Sequence, residues 1–264
     1  MSATRPVDRR SALRAVLLLG CAMTAGVPVT ACGARPQGQL SEGELTSRFG
    51  LGHVRWRLAM PADQPPRGLV VVLHGYGGDA DAAFDLGYAD ALDATRLAVV
   101  SVDGGNRYWH RRRDGTDSGA MVREELIPLA LDRCGLPAGA RVGLLGWSMG
   151  GFGALLLASE LGRGRVTGVV AASAALWRTA GETPAGAFDD REDFDRHSIL
   201  ERADRLDGIP IRLDCGRSDP FIAANRALAE RLSRVESHFE PGGHDDAWWR
   251  ARATDEMDWL AALA

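Results

Sequence analysis

Ser148 stands in the run Gly146-Trp147-Ser148-Met149-Gly150, with further glycines at 151 and 153. A serine hydroxyl is a weak nucleophile until a neighbouring base takes its proton. Glycine weakens helices and strands alike. Four glycines around one serine therefore mark a backbone that turns sharply or packs closely. An apolar, strand-like run precedes them and a helix-like run follows. In that context G-x-S-x-G puts the serine on a strained turn with its hydroxyl exposed. The start of the helix adds the positive end of a dipole where negative charge develops. The chemistry implied is acyl transfer through a covalent intermediate.

At such a junction the partners follow in the order serine, acid, histidine. His238 and His244 are the histidines downstream of a plausible acid. His238 falls in a strand-like stretch. His244 lies in "EPGGHDDAWW", where two glycines free the loop and a helix follows, so His244 is the expected base. Asp214 and Asp219 compete for the acid. Asp214 sits inside a strand-like run, whereas Asp219 follows the turn "GRS" and precedes Pro220, a good first helical residue. Asp219 is the expected acid, holding the imidazole tautomer rather than accepting the proton; it could equally cap the helix. The oxyanion donors are expected to be the backbone N–H groups of Met149 and of Tyr76 in "HGYGGD", with Gly77 as the alternative to Tyr76. His74, just before that loop, is expected to be structural.

These residues need a scaffold. "LVVVLHG", "LAVVSVDGG", "RVGLLGWS" and "VTGVVAASA" are continuous apolar runs, the mark of strands buried on both faces of a parallel sheet. "IPIRLDCG" and "SHFEPGG" repeat the pattern more weakly, and "HVRWRLAM" alternates. Helix-period stretches separate them, at 81–95, 119–134, 149–161, 220–235 and 245–263. Strands alternating with helices predict a doubly wound α/β sheet with helices on both faces. Residues 51–264 form one domain in this reading. The segment 177–208 is the one long departure, read as a small lid-like excursion over the site.

Taken together, "VVVLHGYGGDA", "DGGNRYWH" with "EELIPL", "GWSMGGFGALLLA", "CGRSDPF" and "PGGHDDAWW" resemble the α/β-hydrolase superfamily. More narrowly they resemble its esterase D group, which includes the antigen 85 mycolyltransferases. The resemblance spans about residues 50–263. It implies an α/β-hydrolase fold and ester hydrolysis without a cofactor or metal. Ser148 is then the nucleophile, Asp219 the acid and His244 the base, with Tyr76 and Met149 forming the oxyanion hole. Acyl transfer to a sugar or lipid hydroxyl is the alternative, because it uses the same residues. A non-catalytic surface lipoprotein is a third reading, against which the complete triad speaks.

Composition narrows the field. The chain has 264 residues and a net charge of −4, which gives no sign of a nucleic-acid partner. All 31 basic residues are arginine. Without lysine there is no Schiff base, no serine–lysine dyad and no phosphate-loop lysine. "NRYWHRRRDGTDSG" follows a predicted strand and should border the site. Its Arg111 and Trp109, with Trp147, are the candidate contacts to a small-molecule, lipid or sugar ester. A solvated basic loop is the plain alternative.

The first 31 residues, basic then apolar from Ala15 to Val29, read as an export signal. "VTAC" resembles a bacterial lipobox, which makes Cys32 a candidate for lipidation and membrane attachment. Residues 33–50 are polar and read as a tether. The remaining Cys134 and Cys215 are expected at opposite ends of the parallel strands, and therefore free.

Overall fold

The computed structural model describes residues 39–264. The expected signal segment, and Cys32 with it, lie outside those residues. Eight strands form one sheet in the order β1-β2-β4-β3-β5-β6-β7-β8. They are β1 Gln39–Ser47, β2 Gly52–Met60, β3 Gly68–Leu73, β4 Leu97–Val102, β5 Val142–Trp147, β6 Val166–Ala172, β7 Ile211–Gly216 and β8 Val235–Glu240. β3 to β8 pair in parallel, while β1–β2 and β2–β4 are antiparallel.

The continuous apolar runs become the central strands. Along β3, Leu69, Val71 and Leu73 face one core while Val70 and Val72 face another. Both faces must then be covered, as the period-two geometry of a strand requires. On the first face lie α3 Ser118–Met121, α4 Ile127–Arg133, α5 Met149–Leu161 and α7 Ile222–Ala229. On the second lie α1 Ala82–Asp85, α2 Leu92–Thr95, α8 Asp246–Arg250 and α9 Ala253–Leu263. Helix α5 is buried all round from Met149 to Ser159, which explains an apolar sequence with no polar face.

Two expectations need correction. Residues 39–47 are strand β1, not tether. Their charges face those of β2 in register, Glu42 opposite Arg57 and Glu44 opposite Arg55. A strand held by cross-strand polar pairs carries no apolar pattern to read. The long helical stretches are also broken. The 81–95 stretch splits at Gly87, whose φ of 86° ends α1. The 119–134 stretch carries a π-turn at Val122–Leu126 between α3 and α4.

The excursion 177–208 contains one helix, α6 Arg191–His197, between two short 3-10 turns. It packs through Phe194, Ile199, Leu200 and Leu206 onto the core that holds α5. Cys134 and Cys215 are free and buried. Burial pushes the Cys134 thiol up to about 11.

Candidate active site

The carboxyl ends of β3, β5, β7 and β8 carry the residues expected to do chemistry, as an open parallel sheet favours. β5 ends on Trp147 and α5 begins on Met149, leaving Ser148 alone between them at φ 55° and ψ −120°. Such a conformation costs a non-glycine residue about 1–3 kcal/mol. Neighbouring backbone holds it: Ser148 N–H donates to Ala172 O at 2.9 Å, and Ser148 O accepts from Ala175 N at 2.9 Å.

The glycines make room for this turn. A Cβ on Gly146 would collide with the carbonyl of Gly150, and one on Gly150 with the carbonyl of Leu73. Strand, turn and helix therefore approach with nothing between their backbones. Gly153 serves a different neighbour, since a Cβ there would strike the ring of Trp109.

Asp219 and His244 arrive on two loops stitched to each other. Arg217 N–H donates to Glu240 O at 2.7 Å and Ser218 N–H to Gly242 O at 2.9 Å. The Asp219 carboxylate is buried and takes the Phe221 N–H on Oδ1 at 2.8 Å. Its Oδ2 lies 2.8 Å from His244 Nδ1, and His244 Nε2 lies 2.9 Å from Ser148 Oγ. With the imidazole proton on Nδ1, donated to Asp219, Nε2 is the acceptor for the serine hydroxyl. Phe221 and Trp249 flank the imidazole edge-on, with ring centres 5.3 and 4.9 Å away. Asp219 thus orders its own turn and meets the histidine, but it does not cap the helix, since α7 begins at Ile222 with Phe221 as its N-cap and no side-chain cap. Asp214 lies apart, paired with Arg212 inside β7.

Tyr76 occupies the turn Gly75–Gly78, closed by Gly78 N–H to Gly75 O at 3.1 Å. Gly77 N–H is committed to Asn106 Oδ1 at 2.6 Å, which removes it as an oxyanion donor. Among the described residues no hydrogen bond engages the N–H of Tyr76 or Met149. Tyr76 is 66% exposed. His74 is structural: its Nε2 accepts Gly104 N–H at 3.1 Å and its Nδ1–H donates to Gly75 O at 2.7 Å. Burial pushes its pKa down, so the ring that supports the turn is neutral.

The expected substrate contacts fare differently. Trp109 is 1% exposed, set edge-on against His74 in the space left by Gly104 and Gly153. Trp147 is 4% exposed and stacks on Tyr88, with Trp249 beside it. Both pack behind the site and offer almost no surface to a substrate. Arg111 is exposed, but it lines a cavity shared with Arg112, Asp189 and His197 rather than with Ser148. Its neighbours Arg112 and Arg113 pair with Asp189 and Asp190 of the excursion. Two groupings escape a reading of the sequence. One is Asn106, an inconspicuous loop residue. The other is the buried set Tyr88, Arg212, Asp214 and Glu256, drawn from three distant segments.

The family model Esterase, described as "Putative esterase", matches residues 66–260. The chain belongs to this esterase family. The esterase is thereby a carboxylic-ester hydrolase, and its solved neighbours have the fold that serine hydrolases use. It is similar to the S-formylglutathione hydrolase of Agrobacterium tumefaciens, with 18% identity, a TM-score of 0.73, and coverage of 87% of this chain and 97% of that one. FphF, a fluorophosphonate-binding serine hydrolase of Staphylococcus aureus, gives 17%, 0.72, 85% and 98%. MPT51 (FbpC1) of Mycobacterium tuberculosis gives 14%, 0.70, 85% and 98%. At these identities the likeness is one of fold. No curated protein matches the esterase in sequence. Family and neighbours fit the esterase D and antigen 85 group that its motifs resemble.

Proposed function

We propose that Ser148, His244 and Asp219 are the catalytic triad of this esterase, and that it hydrolyses small carboxylic esters. The observation that carries the reading is the continuous contact from Asp219 Oδ2 through His244 to Ser148 Oγ, at 2.8 and 2.9 Å. Ser148 Oγ attacks the ester carbonyl while its proton passes to His244 Nε2. The N–H groups of Tyr76 and Met149 hold the resulting oxyanion. The tetrahedral intermediate collapses as His244 returns the proton to the departing alcohol, leaving an acyl-enzyme. Water, deprotonated by the same imidazole, then attacks the acyl carbon, and Ser148 leaves with its proton restored.

A p-nitrophenyl ester of a short acid tests this. Turnover is expected in the wild type and should fall to near background in Ser148→Ala. Fluorophosphonate labelling should map to Ser148. A folded wild-type chain inert to both reagents sinks the proposal. Added acceptor alcohols, with product analysis, separate hydrolysis from acyl transfer to a hydroxyl. Export is proposed on the basic-then-apolar segment 1–31 and lipidation on "VTAC". Intact mass of protein from its host should show a lipid on Cys32.

A further inference from the structure

His110 lies in the loop after β4, and Asp193 and His197 lie one turn apart on α6 of the excursion. The fold brings ligand atoms of all three within 4.8 Å of one another. His197 Nδ1 is 3.1 Å from Asp193 Oδ1, and His110 Nδ1 is 3.8 Å from Asp193 Oδ2. Donor atoms around a tetrahedral zinc ion stand about 3.3 Å apart, given metal–ligand bonds of about 2.0–2.1 Å. The observed spacing is close to that and needs only small side-chain shifts.

The hydrogen bonding points the same way. His110 is 2% exposed and Asp193 1%. His110 Nε2 faces the carbonyl of Ala187 at 3.2 Å, and its Nδ1 faces the carbonyl of Arg111 at 3.0 Å. A neutral imidazole has one proton. Once Nε2–H is donated to Ala187, Nδ1 presents a lone pair to the Arg111 carbonyl and the Asp193 carboxylate. Buried acceptors that face one another with no proton between them are unfavourable. A cation among them removes the conflict.

The remaining partners resemble the outer shell of a metal site, in which a ligating histidine donates its other N–H to a carbonyl. His110 does so to Ala187 while its Nδ1 faces Asp193, and His197 also turns its Nδ1 to Asp193, 2.8 Å from the carbonyl and 3.1 Å from Oδ1. Asp193 Oδ2 accepts the Asp189 N–H at 2.9 Å, and Arg196 reaches Oδ1 at 3.4 Å. Of the nearby guanidinium groups, Arg112 pairs with Asp189, and Arg196 is shared between Glu192 at 2.9 Å and Asp193 at 3.4 Å. A cavity of about 440 Å³, lined in part by Asp193 and His197, provides an entry path.

We propose that His110, Asp193 and His197 bind one divalent transition-metal ion of the zinc class, which fastens the excursion to the loop after β4. Two imidazole nitrogens and a carboxylate oxygen suit zinc and cobalt, not calcium or magnesium. A water molecule or the Arg111 carbonyl completes the set.

The test uses the tag-free full-length chain, stripped with chelator and titrated with Zn²⁺ by calorimetry and with Co²⁺ by visible absorption. One equivalent is expected, with a rise in Tm. Losing an outer partner of a metal site costs roughly 10–100-fold in affinity, so His197→Gln and His110→Gln, which remove a ligand, should each lose at least about 100-fold. Histidines outside the cluster, exposed His53 and half-buried His238, are the controls: His53→Gln with His238→Gln should bind as the wild type does. If the wild type shows no saturable binding, the cluster holds only a proton and the proposal fails. It fails equally if His197→Gln binds unchanged, or if the control variant loses the ion.

Discussion

Asn106 Oδ1 accepts the Gly77 N–H at 2.6 Å and so ties the loop after β4 to the turn that presents Tyr76. The side chain touches no reacting atom. It fixes the peptide next to an expected oxyanion donor, whose aim matters most when the oxyanion forms. Removing a donor outright costs about 10²–10³ in rate. Asn106→Ala should therefore lower kcat by a smaller factor, about tenfold, with KM little changed. Steady-state kinetics on a p-nitrophenyl ester check the split; a rise in KM alone would make Asn106 a substrate contact instead.

Asp219→Asn keeps the acceptor for Phe221 N–H but turns an obligate acceptor into a group that can donate to His244. The wrong imidazole tautomer follows, and in a serine–histidine–aspartate triad that costs about 10⁴ in kcat. Turnover should fall by that order while the circular dichroism spectrum and Tm stay near those of the wild type. A loss of under tenfold would remove Asp219 from the triad.

Gly150→Ala places a methyl group against the carbonyl of Leu73, a backbone atom with nowhere to go. Overpacking of this kind costs about 1–3 kcal/mol, occasionally more. The denaturation midpoint should fall accordingly, and fluorophosphonate labelling should slow as the Ser148 turn is forced apart. An unchanged midpoint would mean that β3 and α5 approach less closely than described.

Glu256 is buried, accepts the Tyr88 hydroxyl at 2.9 Å and lies near Asp214. Burial first, then the Asp214 charge, pushes its pKa well above the usual 4.5. A carboxyl raised in the folded state keeps its proton where the unfolded chain has lost it. Its contribution to stability is full below about pH 4.5 and is lost as pH rises toward the folded value. Glu256→Gln cannot ionise. The stability of this variant relative to the wild type should climb with pH above about 4.5, measured by urea denaturation at several pH values. A constant difference would show that Glu256 titrates normally.

Much of the site can be read along the chain because its constraints are local or topological. Ser148 announces itself through an apolar strand, a helix and glycines that all lie within a dozen residues. Asp219 and His244 follow because parallel strands deliver their loops to one edge in a fixed order. The misread residues are those whose environment is assembled from afar. Trp109 looks like a wall of the site, yet glycines 104 and 153 open a buried slot for it. Trp147 is adjacent to Ser148, but the alternation of β5 turns it to the opposite face, onto Tyr88. Strand β1 is hidden because its partners are charges on β2. The cluster of His110, Asp193 and His197 joins residues some eighty positions apart, with only Asp193 and His197 sharing a helical spacing.

The outermost strands of the sheet, β1 and β8, both carry carboxylates, Glu42 and Glu44 on one and Glu236 and Glu240 on the other. Outer strands are templates for the uncontrolled joining of molecules, and charge on them opposes it. Stacking two copies edge to edge would set like charges side by side. The protein should thus stay dispersed at high concentration near neutrality, where those four groups are charged.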